Sequence, residues 1–415
     1  MTGDAAAPTT DESSRRYRGW KVVFACFLMA VAAWGFGFYG HSVYLAEFQR
    51  LHGWPASVVS TATTVYYLAG AVAVIWVADA IARFGPRAVT IAGVTVLAAS
   101  GAALALVTSP WQVYAAFLLM AFGWAGTSIG AINNILGLWF ATRRGMAISF
   151  ALNGASAAGI LFAPALVALI GATGFATAMT VAALVTLAVV IPAAWLWIDR
   201  PPPGVPGVPA ARPLPAGAAP APAWTRPRAL RSGHFWTVAA PFALALFAQV
   251  GFLMHQIAFL EPMIGRYAAG VAVGVASVCA VVGRVGLGFF IDRLDQRRVT
   301  AISLASQAAA LFVMTRTTDP AILFTASAVF GLSVGNLITL PSLIVQREFD
   351  AASFGALMAL VAAVNQFTYA LGPGALGLLK DFAGGYDAAL AACVACELAA
   401  IAIILSRRSP PPPPR

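Results

Sequence analysis

The chain has 415 residues, of which 60% are hydrophobic and 10% charged, with a formal net charge of +10 and a mean hydropathy of +0.83. A soluble domain carries about 25% charged residues, so the composition excludes a water-soluble globular protein and points to a polytopic membrane protein. The basic residues cluster at the ends of apolar segments, where a bilayer accounts for them, and the positive charge therefore does not argue for a nucleic-acid partner.

In chain order, a tail over residues 1–19 leads through SSRRYRGWK into the first apolar span. The paired arginines resemble an export signal. The span that follows is longer than a signal peptide's apolar region and has no small-residue cleavage site, so Arg15, Arg16, Arg18 and Lys21 read as a topological anchor. A spanning helix needs about 20 apolar residues. Twelve stretches qualify, roughly 20–45, 57–79, 88–108, 111–137, 146–170, 175–197, 235–260, 268–291, 299–317, 320–345, 354–379 and 386–406. Turn chemistry or charge separates them, as in HGWP at 52–55, FGPR at 84–87 and ATRRG at 141–145.

Between the sixth and seventh spans, RPPPGVPGVPAARPLPAGAAPAPAWTRPR is too rich in Pro, Ala and Gly to build a core. The expected organisation is a cytoplasmic tail (1–19), a six-helix bundle (20–198), a disordered Pro-rich cytoplasmic linker (199–234), a second six-helix bundle (235–406) and a Pro-rich tail (407–415). With the N-terminus cytoplasmic, the inner loops collect Arg83, Arg87, Arg143, Arg144, Arg293, Arg297, Arg298 and Arg347, and the outer loops hold only Arg50, Arg266, Arg316 and Lys380. That asymmetry puts both termini in the cytoplasm.

Few motifs offer chemistry. Cys393 and Cys396 form CVAC, but neither a strand-to-helix turn nor further ligands accompany them, so all four cysteines read as buried small hydrophobes. No nucleophile, metal cluster or phosphate loop stands in a catalytic context. An enzyme is not expected, and neither a cofactor nor a metal.

A repeat carries more information. GFYGHSVYLAE at 37–47 and GFLMHQIAFLE at 251–261 both place Gly-Phe before a histidine and a glutamate six residues after it: His41 and Glu47, His255 and Glu261. ARFGPRAVT at 82–90 aligns with DRLDQRRVT at 292–300, matching Arg83 with Arg293 and Arg87 with Arg297. Duplication of a six-helix unit explains both pairs.

At these residues the chain resembles the major facilitator superfamily. GFFIDRLDQRR at 288–298 is similar to that superfamily's cytoplasmic loop signature, while the first-half copy carries Ala82 in place of the acid and Pro86 in place of a basic residue. The resemblance implies an all-α integral membrane fold, with twelve transmembrane helices in two pseudo-symmetric six-helix bundles. It also implies a cytoplasmic gate that includes Arg83, Arg87, Asp292, Arg293 and Arg297. Within the superfamily, WFATRRGMAISFALNGASAAG at 139–159, RGW at 18–20 and GRVGLGFFIDR at 283–293 are similar to the monocarboxylate transporter and oxalate:formate antiporter group, which keeps a substrate arginine in its eighth helix.

Arg284 is the clearest charge inside a span. It lies eight residues before Asp292, about 12 Å deeper along a helix, near the middle of a core about 30 Å thick. Three and four residues earlier stand Val281 and Ala280, so no acid one turn away neutralises it. Two readings stand open: a guanidinium that takes a carboxylate ligand bidentately, or a structural Gly-Arg element bonding backbone. The oxalate antiporters use a lysine in the eleventh helix; here that helix offers Asn365, Gln366 and Tyr369, and one fixed positive charge suits a monoanion. Tyr39, Asn133, Asn153, Gln256, Asn336 and Asn365 are further candidate substrate contacts, although such residues individually are more often interhelical hydrogen bonds. Glu397, within the twelfth span, reads as a locally paired or protonated structural group.

His41 and His255 are expected at one depth, about 6 to 8 Å inside the outer helix ends. They read either as gating or proton-coupling residues or as structural groups bonding backbone, Glu47 or Glu261. The sequence reading is a monomeric multi-pass transporter of the bacterial-type cytoplasmic membrane. Its expected partners are the lipid bilayer, a small organic monoanion and a proton. Organic-anion exchange and drug or metabolite export are the alternatives.

Overall fold

The computed structural model describes residues 11–14, 16–200, 224–350 and 353–406, without the side chains of Asp292 and Ile338. Most of the expected linker, the C-terminal tail and Arg15 therefore lie outside the described residues. Among the described residues there is no strand. Eleven helices are long and apolar enough to cross a membrane: α1 (Gly19–His52), α2 (Ala56–Phe84), α3 (Pro86–Leu106), α4 (Pro110–Trp139), α5 (Arg144–Thr173), α6 (Phe175–Trp197), α7 (Gly233–Ile264), α8 (Arg266–Gly288), α10 (Pro320–Glu348), α11 (Phe354–Ala383) and α12 (Asp387–Leu405). The ninth expected span forms α9 (Gln296–Met314), a 19-residue helix. It falls short of the others in apolar character because its first turn carries Gln296, Arg297 and Arg298.

Several helices outrun their apolar stretches. α1 continues past residue 45 to His52 through a π-type turn at Gly35–Tyr39, and α7 runs to Ile264. Polar residues extend a helix when their charges find partners, and Glu47 and Glu261 both do so, as described below. α2 passes through a 3-10 turn at Val74–Trp76 and ends at Phe84, which puts Arg83 on its last helical turn. Gly85 stops it with φ 87° and ψ 156°, a region that only glycine reaches without strain, and Pro86 opens α3 at a position needing no amide hydrogen. Gly265 makes the same break between α7 and α8, with φ 81°.

Contacts divide the chain into two packing units, one of Met1–Gly40, Ala69–Phe162 and Leu169–Pro213, the other of His41–Leu68, Ala163–Ala168 and Leu214–Arg415. These units and the two sequence halves are different divisions of the chain. In the first unit α3 packs on α4 and α6, and glycines set the distance: a methyl group on Gly123 would stand 2.5 Å from the Leu97 amide nitrogen. In the second unit α7 is the centre, packed on α11 and α12. Its end at Phe235 and Phe242 shares a core with Leu304, Leu340, Ile344 and Phe349.

The segment before α1 is a strap. Glu12 accepts from the backbone amides of Ala141 (2.7 Å) and Arg143 (2.7 Å) and from the Thr142 hydroxyl (2.7 Å). The Tyr17 hydroxyl donates to the Trp139 carbonyl, and its ring packs edge-on against Phe140 at 5.4 Å. A carboxylate placed on the free amides preceding α5 does the work of an N-cap. Burial opposes the charge of Glu12, but these hydrogen bonds outweigh it and hold its carboxyl below the usual glutamate range.

A folded pKa below the unfolded one gives stability that is present above the unfolded value and disappears as pH falls through the folded value. Glu12→Gln should therefore speed amide exchange at Ala141–Arg143 at pH 7. The gap from wild type should close only as pH falls below the usual glutamate range, as read by hydrogen exchange.

Candidate functional site

Small residues build the surroundings of Arg284. α8 and α10 approach so closely that a methyl group on Gly283 would collide with the Leu332 carbonyl, one on Gly331 with the Ala276 carbonyl, and one on Gly335 with the Ala280 carbonyl. Gly331 and Gly335 form a GxxxG pair, the spacing that lets two backbones meet. At this crossing Arg284 is half-buried, and its Nε donates to the Gly335 carbonyl at 3.2 Å. Beside it in sequence, Asn336 donates from Nδ2 to Ser303 Oγ at 3.3 Å. The backbone-bonding reading of Arg284 is thus realised at Nε.

The other expected contacts fall into two groups. In the second unit Gln256 is fully buried, Asn365 is 8% exposed and Asn336 is 7% exposed. Both amide atoms of Gln256 and the oxygens of Asn336 and Asn365 are buried without a hydrogen-bond partner among the described residues. Buried polar atoms are costly unless paired, so these positions are suited to receive a polar ligand or water. In the first unit Tyr39 and Asn133 are half-buried and Asn153 is exposed; the Asn133 carbonyl accepts from Arg144 at 3.3 Å. Glu397 is fully buried, and neither of its carboxyl oxygens has a partner among the described residues.

The histidines sit deeper from the helix ends than the sequence suggested. α1 runs eleven residues past His41 and α7 nine past His255, about 16 and 13 Å of helix. His255 is fully buried, with Nε2 3.1 Å from the Pro373 carbonyl of α11 and Nδ1 3.1 Å from the Tyr386 hydroxyl. The carbonyl requires a hydrogen on Nε2, so in the neutral ring Nδ1 accepts from Tyr386. His41 is also fully buried, 4.6 Å from the Tyr66 ring centroid and 5.7 Å from that of Tyr44.

The glutamates of the repeated frame pair with arginine. Glu47 is 2% exposed and takes Arg50 at 2.8 Å and Arg266 at 2.9 Å; Arg266 also reaches Glu261 at 3.6 Å. One arginine at the start of α8 thus joins the ends of α1 and α7. Beside this, Asp381 of α11 accepts from the Ala56 (3.1 Å) and Ser57 (2.7 Å) amides at the start of α2. Pro55 precedes that helix and offers no side-chain acceptor, so Asp381 supplies the cap from another helix. Sequence reasoning used Arg266 only as an outer-loop charge and passed over Asp381 and Gly335. Only Gly335 left a local signal, its spacing from Gly331.

At the opposite helix ends, Arg87 donates to Asp199 (2.9 Å) and the Ile198 carbonyl (3.0 Å). Arg297 is 4% exposed and bonds Glu348 (2.6 Å), Thr237 Oγ1 (2.9 Å) and the Ile404 carbonyl (2.9 Å). Each brace lies within one packing unit. Arg83 is exposed and stacks over Phe84 at 5.2 Å. Arg293 is exposed in a short 3-10 turn, and the Asp292 side chain is outside the described residues.

Membrane-length helices throughout the chain, with ionised groups held by partners along them, define a multi-pass membrane protein. The family model described as Major Facilitator Superfamily matches residues 22–267 and 257–415, so the chain belongs to that superfamily of membrane transporters. Two solved structures show the same fold. A bacterial homologue of the human lysosomal transporter Spinster, in an inward-facing and unoccupied conformation, is 15% identical with a TM-score of 0.73, over 94% of this chain and 97% of that one. The nucleoside transporter NupG is 13% identical with a TM-score of 0.69, over 94% and 98%. No curated protein sequence matches.

Two variants test this geometry. Gly335→Ala should lower the melting temperature by several degrees, because the α8–α10 contact is backbone against backbone. Arg266→Gln leaves Glu47 buried with Arg50 alone and should destabilise by about 1–3 kcal/mol. Adding Glu47→Gln should recover part of that loss in a double-mutant cycle.

Proposed function

We propose that the protein is a secondary active transporter that moves a small organic monoanion across the cytoplasmic membrane by alternating access, coupled to a proton. The observation that carries this reading is Arg284, a guanidinium within an apolar helix that is oriented by its Nε bond to the Gly335 carbonyl. An intramembrane cation is a functional-site candidate by default, and a carboxylate is its natural complement. The unpartnered amide atoms of Gln256, Asn336 and Asn365 in the same unit offer the neutral polar groups that complete a small acid's shell. Tyr39, Asn133 and Asn153 are the corresponding contacts proposed from the first half. A dianion would need a second fixed charge, and α11 holds none before Lys380.

His255 supports proton coupling. When its ring takes a second proton both nitrogens become donors, and Tyr386 then accepts instead of donating. Both hydrogen bonds survive that change. We assign His41 and His255 to proton coupling and gating, and Glu47, Arg266, Glu261 and Asp381 to the outer gate. Arg83, Arg87, Asp292, Arg293 and Arg297 belong to the cytoplasmic gate in this reading, with the six-helix halves at 20–198 and 235–406 as the moving parts. The active species is a monomer in a bacterial-type inner membrane, with both termini cytoplasmic.

Proteoliposome uptake tests the proposal with labelled lactate and benzoate as monoanions, oxalate as dianion and uridine as neutral probe. Monoanion uptake should accelerate under an inward proton gradient. His41→Gln with His255→Gln should flatten the pH profile and leave counterflow without a gradient intact. Preferential transport of oxalate or uridine, or an unchanged pH profile in the double variant, would sink this reading.

A further inference from the structure

The first packing unit carries a groove that the transport reading does not use. It has a volume of about 440 Å³, and all of its lining residues are apolar. Its shape follows from the local sequence. The 3-10 turn at Val74–Trp76 changes the course of α2, and α3 presents Ala88, Ala92 and Gly93 where bulky side chains would otherwise fill the space. The walls are Trp76, Phe84 and Phe122, which are 58%, 64% and 59% exposed. Single apolar side chains facing lipid are ordinary, but a concavity of this size lies within the range of ligand clefts.

The polar end of the groove is basic. Arg83 is exposed, places its guanidinium 5.2 Å from the Phe84 ring centroid, and has no ion pair among the described residues. Arg200 donates from Nη2 to the Ala82 carbonyl at 2.7 Å, one residue before Arg83. The acids nearby are Asp199, held by Arg87 at 2.9 Å, and Asp79, exposed one turn before Arg83. Three arginines against two carboxylates leave an excess positive charge at the mouth of an apolar groove. By the loop charges this end faces the cytoplasmic leaflet, where anionic headgroups lie.

We propose that this groove is a binding site for an anionic phospholipid, with one acyl chain lying along α3 and the phosphate on Arg83 and Arg200. The chain is held by packing against the groove walls, and the arginines select the headgroup. A bound lipid would bridge α2, α3 and α4 beside the 3-10 turn and stabilise this unit.

The test is thermal unfolding of delipidated full-length protein titrated with dipalmitoyl phosphatidylglycerol, dipalmitoyl phosphatidylethanolamine or inorganic phosphate, with native mass spectrometry to count bound lipid. Phosphatidylglycerol should raise the melting temperature several degrees further than phosphatidylethanolamine, and phosphate alone should not. Arg83→Gln with Arg200→Gln, both at exposed positions, should erase the difference between the two lipids. Ala92→Phe, which fills the groove from its open side, should reduce the response to phosphatidylglycerol and the bound count by one. Equal responses to the two lipids in the wild type, or an unchanged preference in the double variant, would overturn the proposal, as would a shift with phosphate alone.

Discussion

Everything proposed for the second unit depends on how close α8 and α10 come. Gly283, Gly331 and Gly335 allow backbone to touch backbone, which puts the Gly335 carbonyl within reach of Arg284. A guanidinium within an apolar helix has to be hydrogen-bonded to be tolerated. The crossing supplies such a bond from Nε to the Gly335 carbonyl, and this orients the side chain. A side chain larger than hydrogen at Gly335 would push the helices apart and move the carbonyl that Arg284 bonds.

The repeated histidine-glutamate frame divides its labour in the same physical terms. The histidines are interior: His255 takes a carbonyl and a phenol, and His41 lies among tyrosine rings. The glutamates lie near the helix ends, where Arg266 ties Glu47 to Glu261. Asp381 caps α2 beside them. A charge network and a borrowed helix cap are strong when dry and weaken when water enters. They are therefore suited to contacts that break as a unit opens and re-form as it closes.

Much of this was legible from residue order alone. Apolar length gave the helices, arginine placement gave the orientation proposed here, and Arg284 stood out as a charge with no neighbouring acid. The failures have one physical source, that a polar group's meaning depends on a partner distant in sequence. YLAEFQRLH is too polar to extend a membrane helix by composition, and it does so because Glu47 meets Arg50 and Arg266. Nothing in the neighbouring sequence marks Asp381 or Glu12, yet each caps a helix that lacks its own acceptor. The ninth helix forms where expected, and the charged turn that weakens its apolar character is the one that braces Arg297 against Glu348. Gly335 could have been found, because GxxxG is a local pattern with a direct packing consequence.

The central claim is that Arg284 binds the carboxylate of a small monoanion. The most direct measurement is calorimetric or thermal-shift titration of the purified protein with monocarboxylates, run side by side on wild type and Arg284→Ala. The account predicts saturable stabilisation of the wild type by at least one monocarboxylate and none of the variant, with both proteins folded. Equal stabilisation of the two, or no response of the wild type to any organic anion, would contradict it.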